Sequence, residues 1–189
     1  MKGWTRIKSR CVPLDRHDVD TDQIIPARFL LTTDREGLAS ALFADWRDEA
    51  GLVLHDPRYA GARVLVAGRN FGCGSSREHA VWALQSFGFR AIVAPSFADI
   101  FRANAHACGL LPVTMDETAH ATLVRAVTDH PKTEVDIDLE RGEIWYADVE
   151  PISFDVDPFA RDLLTSGRDA LQYLLNETGA ISEWEARHG

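Results

Sequence analysis

Residues 63–94 read RVLVAGRNFGCGSSREHAVWALQSFGFRAIVA, and this stretch decides the fold. Its first part, 63–68, is an apolar run of the length typical of a buried strand. A glycine-rich loop, 69–74, follows, and residues 76–87 then carry apolar side chains at helical spacing before a glycine stop. Residues 90–94 form a second apolar run. The pattern predicts two parallel strands joined by a helix, which is the repeating unit of an α/β fold.

The rest of the chain gives weaker patterns, and we expect one domain over residues 1–189. The N-terminal third reads as irregular. Within it Pro26 favours a loop or an edge segment after Ile24 and Ile25, because proline continues neither a helix interior nor a central strand. The other expected elements are a helix 38–46, a helix 97–108 capped by Ser96, a helix 116–130, a hairpin of strands 133–139 and 144–149, and helices 157–166, 169–175 and 182–187.

Composition excludes several classes of protein. The chain has 29 acidic and 20 basic residues, a net charge of −9, and no basic patch, so nucleic acid is not an expected partner. No apolar run reaches the roughly 18 residues that a membrane helix requires, so no membrane association is expected. The first six residues, MKGWTR, lack the apolar core of a signal peptide, and we expect a cytoplasmic protein.

Cys11, Cys73 and Cys108 are too widely spaced for a disulfide framework or a zinc motif. They also lack the close Cys-x-x-Cys pair that is usual in iron–sulfur proteins. We therefore expect no metal on this chain. One alternative gives Cys73 a chemical role, because a cysteine just before a helix N-terminus can have a lowered pKa and act as a nucleophile.

The loop between the first strand and its helix is the main candidate site. Free backbone N–H groups and the positive end of the helix dipole would favour an anion there, and Arg77 could hold a carboxylate through two parallel hydrogen bonds. The loop fits no Walker, dinucleotide-binding or nucleophile-elbow motif. A purely structural alternative is a capping box, in which Ser75 caps the helix and Glu78 reaches back.

Four motifs in order make the chain resemble the aconitase swivel-domain family, in its separate-chain form, the isopropylmalate dehydratase small subunits. The motifs are DTDQIIP at 20–26, NFGCGSSREHA at 70–80, PSFADIF at 95–101 and, after Asn104, GLLPV at 109–113. The similarity runs from about Val12 to the C-terminal helices. It implies an aconitase-type swivelling β/β/α domain with a mostly parallel central sheet.

The resemblance also implies an activity that the chain does not carry out alone. Members of this family dehydrate and rehydrate a 2-hydroxy diacid, 2-isopropylmalate, in leucine biosynthesis. A separate large subunit carries a [4Fe–4S] cluster, so the resemblance implies a heterodimer or heterotetramer and no cofactor on this chain. Two alternatives remain open: the small subunit of a related hydro-lyase acting on citramalate, homoaconitate or dimethylmalate, and a non-enzymatic anion-binding module.

Roles for individual residues follow from their positions in the family motifs. Ser75 matches the serine base, Asp22 matches an active-site carboxylate, Ser76 and Arg77 match residues that bind the substrate carboxylate, and Arg35 matches a substrate-binding arginine more loosely. Residues between Ala27 and Thr33, including Phe29, Leu30 and Leu31, are expected to line the pocket for the substrate side chain.

Overall fold

The computed structural model describes residues 3–30, 37–49, 52–168 and 170–188. The strands in these ranges are β1 (Arg6–Leu14), β2 (Val64–Ala67), β3 (Ala91–Ala94), β4 (Leu111–Thr114), β5 (Glu134–Asp138), β6 (Glu143–Tyr146) and β7 (Ile152–Ser153). The α-helices are α1 (Thr21–Ile24), α2 (Glu78–Phe87), α3 (Asp99–Cys108), α4 (Glu117–Asp129), α5 (Pro158–Ser166), α6 (Ala170–Asn176) and α7 (Thr178–His188). Short 3-10 turns occupy Ala27–Phe29, Leu38–Ala41, Ala44–Trp46 and Pro57–Tyr59.

The described strands form one sheet in the order β4-β3-β2-β1-β5-β6-β7. Strands β1 to β4 pair in parallel, and their crossovers contain α2 and α3. From β1 outward, β5, β6 and β7 pair antiparallel, with β5 and β6 joined as the predicted hairpin. The α/β class and the predicted unit of β2, α2 and β3 are confirmed.

Strand β1 lies at the centre of the sheet, so the prediction of an irregular N-terminal third was wrong for residues 6–14. Its buried side chains, among them Ile7 and Cys11, alternate with exposed charged ones, which is the pattern of a strand. Proline at position 13 is tolerated because β5 pairs only with Arg6 to Arg10 and leaves that part of β1 free on one side.

The two faces of the sheet bury separate apolar clusters, because successive side chains of a strand point to opposite faces. Leu65 and Ala67 of β2 join the cluster beneath α2 and α3. Val64 and Val66 join the cluster beneath α4 and α5. Helices on both faces leave the carboxyl-end edge of the parallel strands open, and such edges are where α/β folds place their sites.

The starts of α4 and α5 agree with the predicted helices 116–130 and 157–166, whereas the cap predicted for α3 was wrong. Asp116 and Asp157 cap α4 and α5 by accepting hydrogen bonds from backbone N–H groups of the first turn. Ser96 does not cap α3, which begins after Ala98; its hydroxyl accepts a hydrogen bond of 2.8 Å from the Asn70 N–H instead. In the described part of the chain, no helix combines the length and the apolar character needed to cross a bilayer.

Candidate active site

Two connections lie side by side at the carboxyl ends of β1 and β2. We call the hydrogen bonds between segments 15–22 and 68–75 the loop clamp. Its backbone bonds run from Gly68 N–H to the Arg16 carbonyl (3.0 Å), from Asp18 N–H to the Arg69 carbonyl (2.9 Å), from Gly72 N–H to the Val19 carbonyl (2.8 Å) and from Thr21 N–H to the Cys73 carbonyl (2.8 Å). The clamp brings together two motifs that are about fifty residues apart in the sequence.

Gly74 makes this close approach possible, and Gly72 allows a similar approach to α3. Gly72 and Gly74 have φ values of +78° and +92°, in the left-handed region that favours glycine. A Cβ on Gly72 would lie 2.2 Å from the ring of Phe101, and one on Gly74 would lie 2.2 Å from a carboxylate oxygen of Asp20. The glycines of the sequence motif therefore allow other segments of the protein to pack closely against this loop.

Asp20 fixes the start of α1. Its carboxylate accepts a hydrogen bond of 2.6 Å from the Asp22 N–H, and the Gln23 side chain accepts one of 2.8 Å from the Asp20 N–H. The two form a capping box, the motif that the sequence had suggested for Ser75 and Glu78. The loop or edge segment predicted at Ile24, Ile25 and Pro26 was wrong only for Ile24, the last residue of α1, since Ile25 and Pro26 lie outside regular structure; both isoleucines are fully buried.

The capping box predicted at Ser75 and Glu78 was wrong. Helix α2 begins at Glu78 with Arg77 as its N-cap, and no side chain caps it. The Ser75 carbonyl instead accepts a hydrogen bond of 3.1 Å from the Thr21 hydroxyl. Ser75, the residue expected to cap the helix, therefore belongs to the loop that the clamp holds. As a result the Ser75 hydroxyl has no hydrogen-bond partner among the described residues, and its side chain is exposed.

Arg77 and Asp22 form a two-pronged ion pair across the two segments. The Arg77 Nη2 donates to Asp22 Oδ2 at 2.9 Å, and Nη1 donates to Oδ1. The Arg77 side chain is 17% exposed and the Asp22 side chain 54% exposed, so the guanidinium is largely enclosed while the carboxylate faces outward. Two charged residues predicted for the site are thus in direct contact.

Some of the remaining predicted residues lie in the described part of the chain and others lie outside it. Ser75 and Ser76 are both exposed, directly before Arg77 and the first turn of α2. Arg35 and Leu31 lie outside the described residues. Phe29 and Leu30 are half-buried and pack against the apolar cluster beneath α2 and α3. Sequence reasoning missed Thr21, although the Thr-Asp pair of its motif contained the signal.

The chemistry of Cys73 does not match that of an activated nucleophile. Burial raises the pKa of its thiol, and the nearby carboxylates of Asp20 and Asp18 raise it further. Burial also strongly raises the pKa of Cys11, which lies within the sheet. Among the described residues, no group of three or more histidine, cysteine, aspartate or glutamate side chains could hold a metal ion.

Comparison with known proteins agrees with this architecture. The fold and the loop define a domain of the aconitase type, and the family model described as Aconitase C-terminal domain matches residues 1–118. The 3-isopropylmalate dehydratase small subunit of Roseiflexus castenholzii is 51% identical over 96% of this chain and 92% of that protein. That of Acidothermus cellulolyticus is 49% identical over 99% and 94%. The chain belongs to the family of 3-isopropylmalate dehydratase small subunits.

A solved structure supports the same assignment. The crystal structure of 3-isopropylmalate dehydratase (leuD) from Methanocaldococcus jannaschii superimposes with a TM-score of 0.70 at 36% sequence identity. The match covers 94% of this chain and 98% of that one. The resemblance stated from the sequence motifs is therefore confirmed at the level of family and fold.

Proposed function

We propose that this chain is the small subunit of a 3-isopropylmalate dehydratase and interconverts 2-isopropylmalate and 3-isopropylmalate, in leucine biosynthesis, only together with a large subunit. The names of its relatives support the reaction and the need for a partner. The observation that carries the mechanism is the Arg77–Asp22 ion pair beside the exposed Ser75 at the start of α2.

Arg77 is the group that we assign to the substrate carboxylate, together with the Ser76 hydroxyl. A guanidinium carries more N–H donors than the two that Asp22 occupies, so Arg77 can bind a carboxylate while it stays paired. Asp22 then serves to fix the plane of the guanidinium. Because lysine has no fork of donors, it would keep the charge at position 77 but lose this geometry.

Ser75 is the residue that we assign as the base. A serine hydroxyl is a very weak acid, so its deprotonated form needs strong local positive potential. The free N–H groups at the start of α2, which no side chain caps, and the positive charge of Arg77 provide such potential. The Ser75 side chain makes no hydrogen bond within the described structure, which leaves its oxygen available to accept a substrate proton.

The site on this chain has a base and carboxylate binders but no group that would activate the leaving hydroxyl. We propose that a [4Fe–4S] cluster on the large subunit supplies that activation as a Lewis acid. The described residues of this chain do not fit such a cluster, since they contain no suitable group of ligands. We propose a heterodimer or heterotetramer in which the outward face of Asp22, Ser75 and Ser76 meets the large subunit.

The test is reconstitution with the large subunit and measurement of 2-isopropylmalate isomerisation. Ser75→Ala is expected to lower kcat by about 10²–10⁴-fold, as loss of a general base does, while the chain stays folded. Ser153→Ala, an exposed serine of β7, is the matched control and should keep wild-type kcat. Wild-type turnover in a folded Ser75→Ala complex would refute the role of Ser75. Isomerisation by the isolated chain would refute the need for a partner.

A further inference from the structure

A pocket lies at the amino ends of the parallel strands, whereas the candidate active site lies at their carboxyl ends. It has a volume of about 280 Å³ and is lined by Gly3, Trp4, Arg6, Ile7, Arg63 and Arg90. Arg6 opens β1, and Arg63 and Arg90 immediately precede β2 and β3. Three neighbouring strands thus each contribute one guanidinium to a single pocket, which contains no carboxylate in its lining.

Two of these arginines lack a negative partner. Asp136 holds Arg6 through two hydrogen bonds of 2.7 Å, which neutralises that guanidinium. No carboxylate of the described residues pairs with Arg63 or Arg90, although their backbones are joined by a hydrogen bond of 2.8 Å from the Arg90 N–H to the Arg63 carbonyl. An unpaired charge of about +2 therefore lies here, on a chain whose net charge is −9. Like charges on adjacent strands repel each other, so this arrangement is destabilising unless an anion binds.

Trp4 places part of its indole ring against the same pocket. Its indole Nε1 is shielded from solvent and has no acceptor among the described residues. A buried N–H without an acceptor is costly, and most such groups in proteins are hydrogen-bonded. Ile7, which is 3% exposed, provides an apolar wall. The lining therefore offers donors and positive charge with no competing acceptor side chain.

We propose that this pocket binds a small dianion of the phosphate class. Its charge would balance Arg63 and Arg90, and its oxygens, which point in several directions, suit guanidinium donors that come from three neighbouring strands. A carboxylate is less suited, because its two oxygens are satisfied by a single guanidinium fork. The site is remote from Ser75 and Arg77 and does not depend on the proposed reaction.

Isothermal titration of the full chain with inorganic phosphate tests the proposal, at constant ionic strength with chloride as the balancing anion. Saturable binding is expected. Arg63→Gln or Arg90→Gln should weaken it about tenfold, as the loss of one charge-assisted hydrogen bond does. Trp4→Phe, which removes only the shielded N–H and keeps an aromatic ring, should change the affinity by less than about twofold. Glycerol phosphate in a parallel titration shows whether a phosphate monoester binds more tightly than the free ion.

The control is Arg141→Gln, an exposed arginine in the turn between β5 and β6 that carries the same charge outside the pocket. It should change the phosphate affinity by less than about twofold. Circular dichroism establishes that each variant is folded. An absence of saturable phosphate binding, or an equal loss of affinity in Arg141→Gln, would overturn the proposal and would leave the assignment of Ser75 and Arg77 unaffected.

Discussion

Thr21→Val tests whether the loop clamp positions the proposed base. Thr21 is 1% exposed, and its hydroxyl donates to the Ser75 carbonyl at 3.1 Å. Valine has nearly the same shape, so the substitution removes this hydrogen bond without opening a cavity, and the Thr21 N–H bond to Cys73 remains. The experiment therefore separates the placement of Ser75 from the packing of the segment.

The expected loss of stability is small. One hydrogen bond contributes about 0.5–1.5 kcal/mol, and the Ser75 carbonyl stays within reach of water because Ser75 is exposed. A change of 1 kcal/mol shifts the Tm of a domain of this size by about 2–4 °C. The effect on catalysis is expected to be larger, since a displacement of a reacting group by about 1 Å can cost about 10²-fold in rate.

The assay combines kcat and KM of the reconstituted enzyme with thermal unfolding of the chain. Thr21→Ser keeps the hydroxyl and should retain most of the turnover. Thr122→Val is the matched control, because the Thr122 hydroxyl also donates to a backbone carbonyl, that of Thr118, at 2.9 Å on the exposed side of α4. If Thr21→Val lowers Tm but leaves kcat at the wild-type value, the clamp has only a structural role and the reasoning is refuted.

Two further predictions concern the stability of the chain. Gly74→Ala should lower the free energy of unfolding by more than about 1 kcal/mol, because φ is +92° and the added Cβ would lie 2.2 Å from the Asp20 carboxylate. The measurement is a denaturant titration, and the control is Gly179→Ala, whose added Cβ would have open space around it. Burial lowers the pKa of His120 in the folded chain. Below about pH 6.5 the unfolded chain therefore binds more protons than the folded chain, and the free energy of unfolding should fall as the pH drops through that value. His120→Gln should flatten this slope only in part, since burial also lowers the pKa of His106, and an unchanged slope would contradict the argument.

The part of the fold that the sequence predicts well has strong local signals. Strands β2 and β3 are uninterrupted apolar runs, and Asp116 and Asp157 stand where helix caps are expected. Strand β1 was missed because its exposed charged side chains and Pro13 resemble loop sequence, and only pairing with β2 and β5 explains them. Strand β4 was not predicted either, because Pro112 interrupts its short apolar run and Thr114 ends it.

At the candidate site, the residue types were predictable but their contacts were not. The motifs led to the prediction that Asp22 and Arg77 are site residues, and the structure adds that their side chains bind each other. The predicted cap at Ser75 failed because the hydrogen bonds of the loop clamp, among them the one from the Thr21 hydroxyl, together outweigh a local preference of about 0.5–2 kcal/mol. The spacing of residues within one loop does not reveal a competing contact from a distant segment.

The loop clamp also has a consequence for how the molecule opens. Because its bonds continue the pairing of β1 with β2, the candidate site and the centre of the sheet belong to one cooperative unit. Strand β2 follows β1 by some fifty residues, so the chain must close a long loop before Asp22 and Arg77 can meet. The site therefore forms late, with the long-range pairing of the sheet, and is lost only when that pairing is lost. In the proposed complex, this chain would bring its part of the site to the large subunit already assembled.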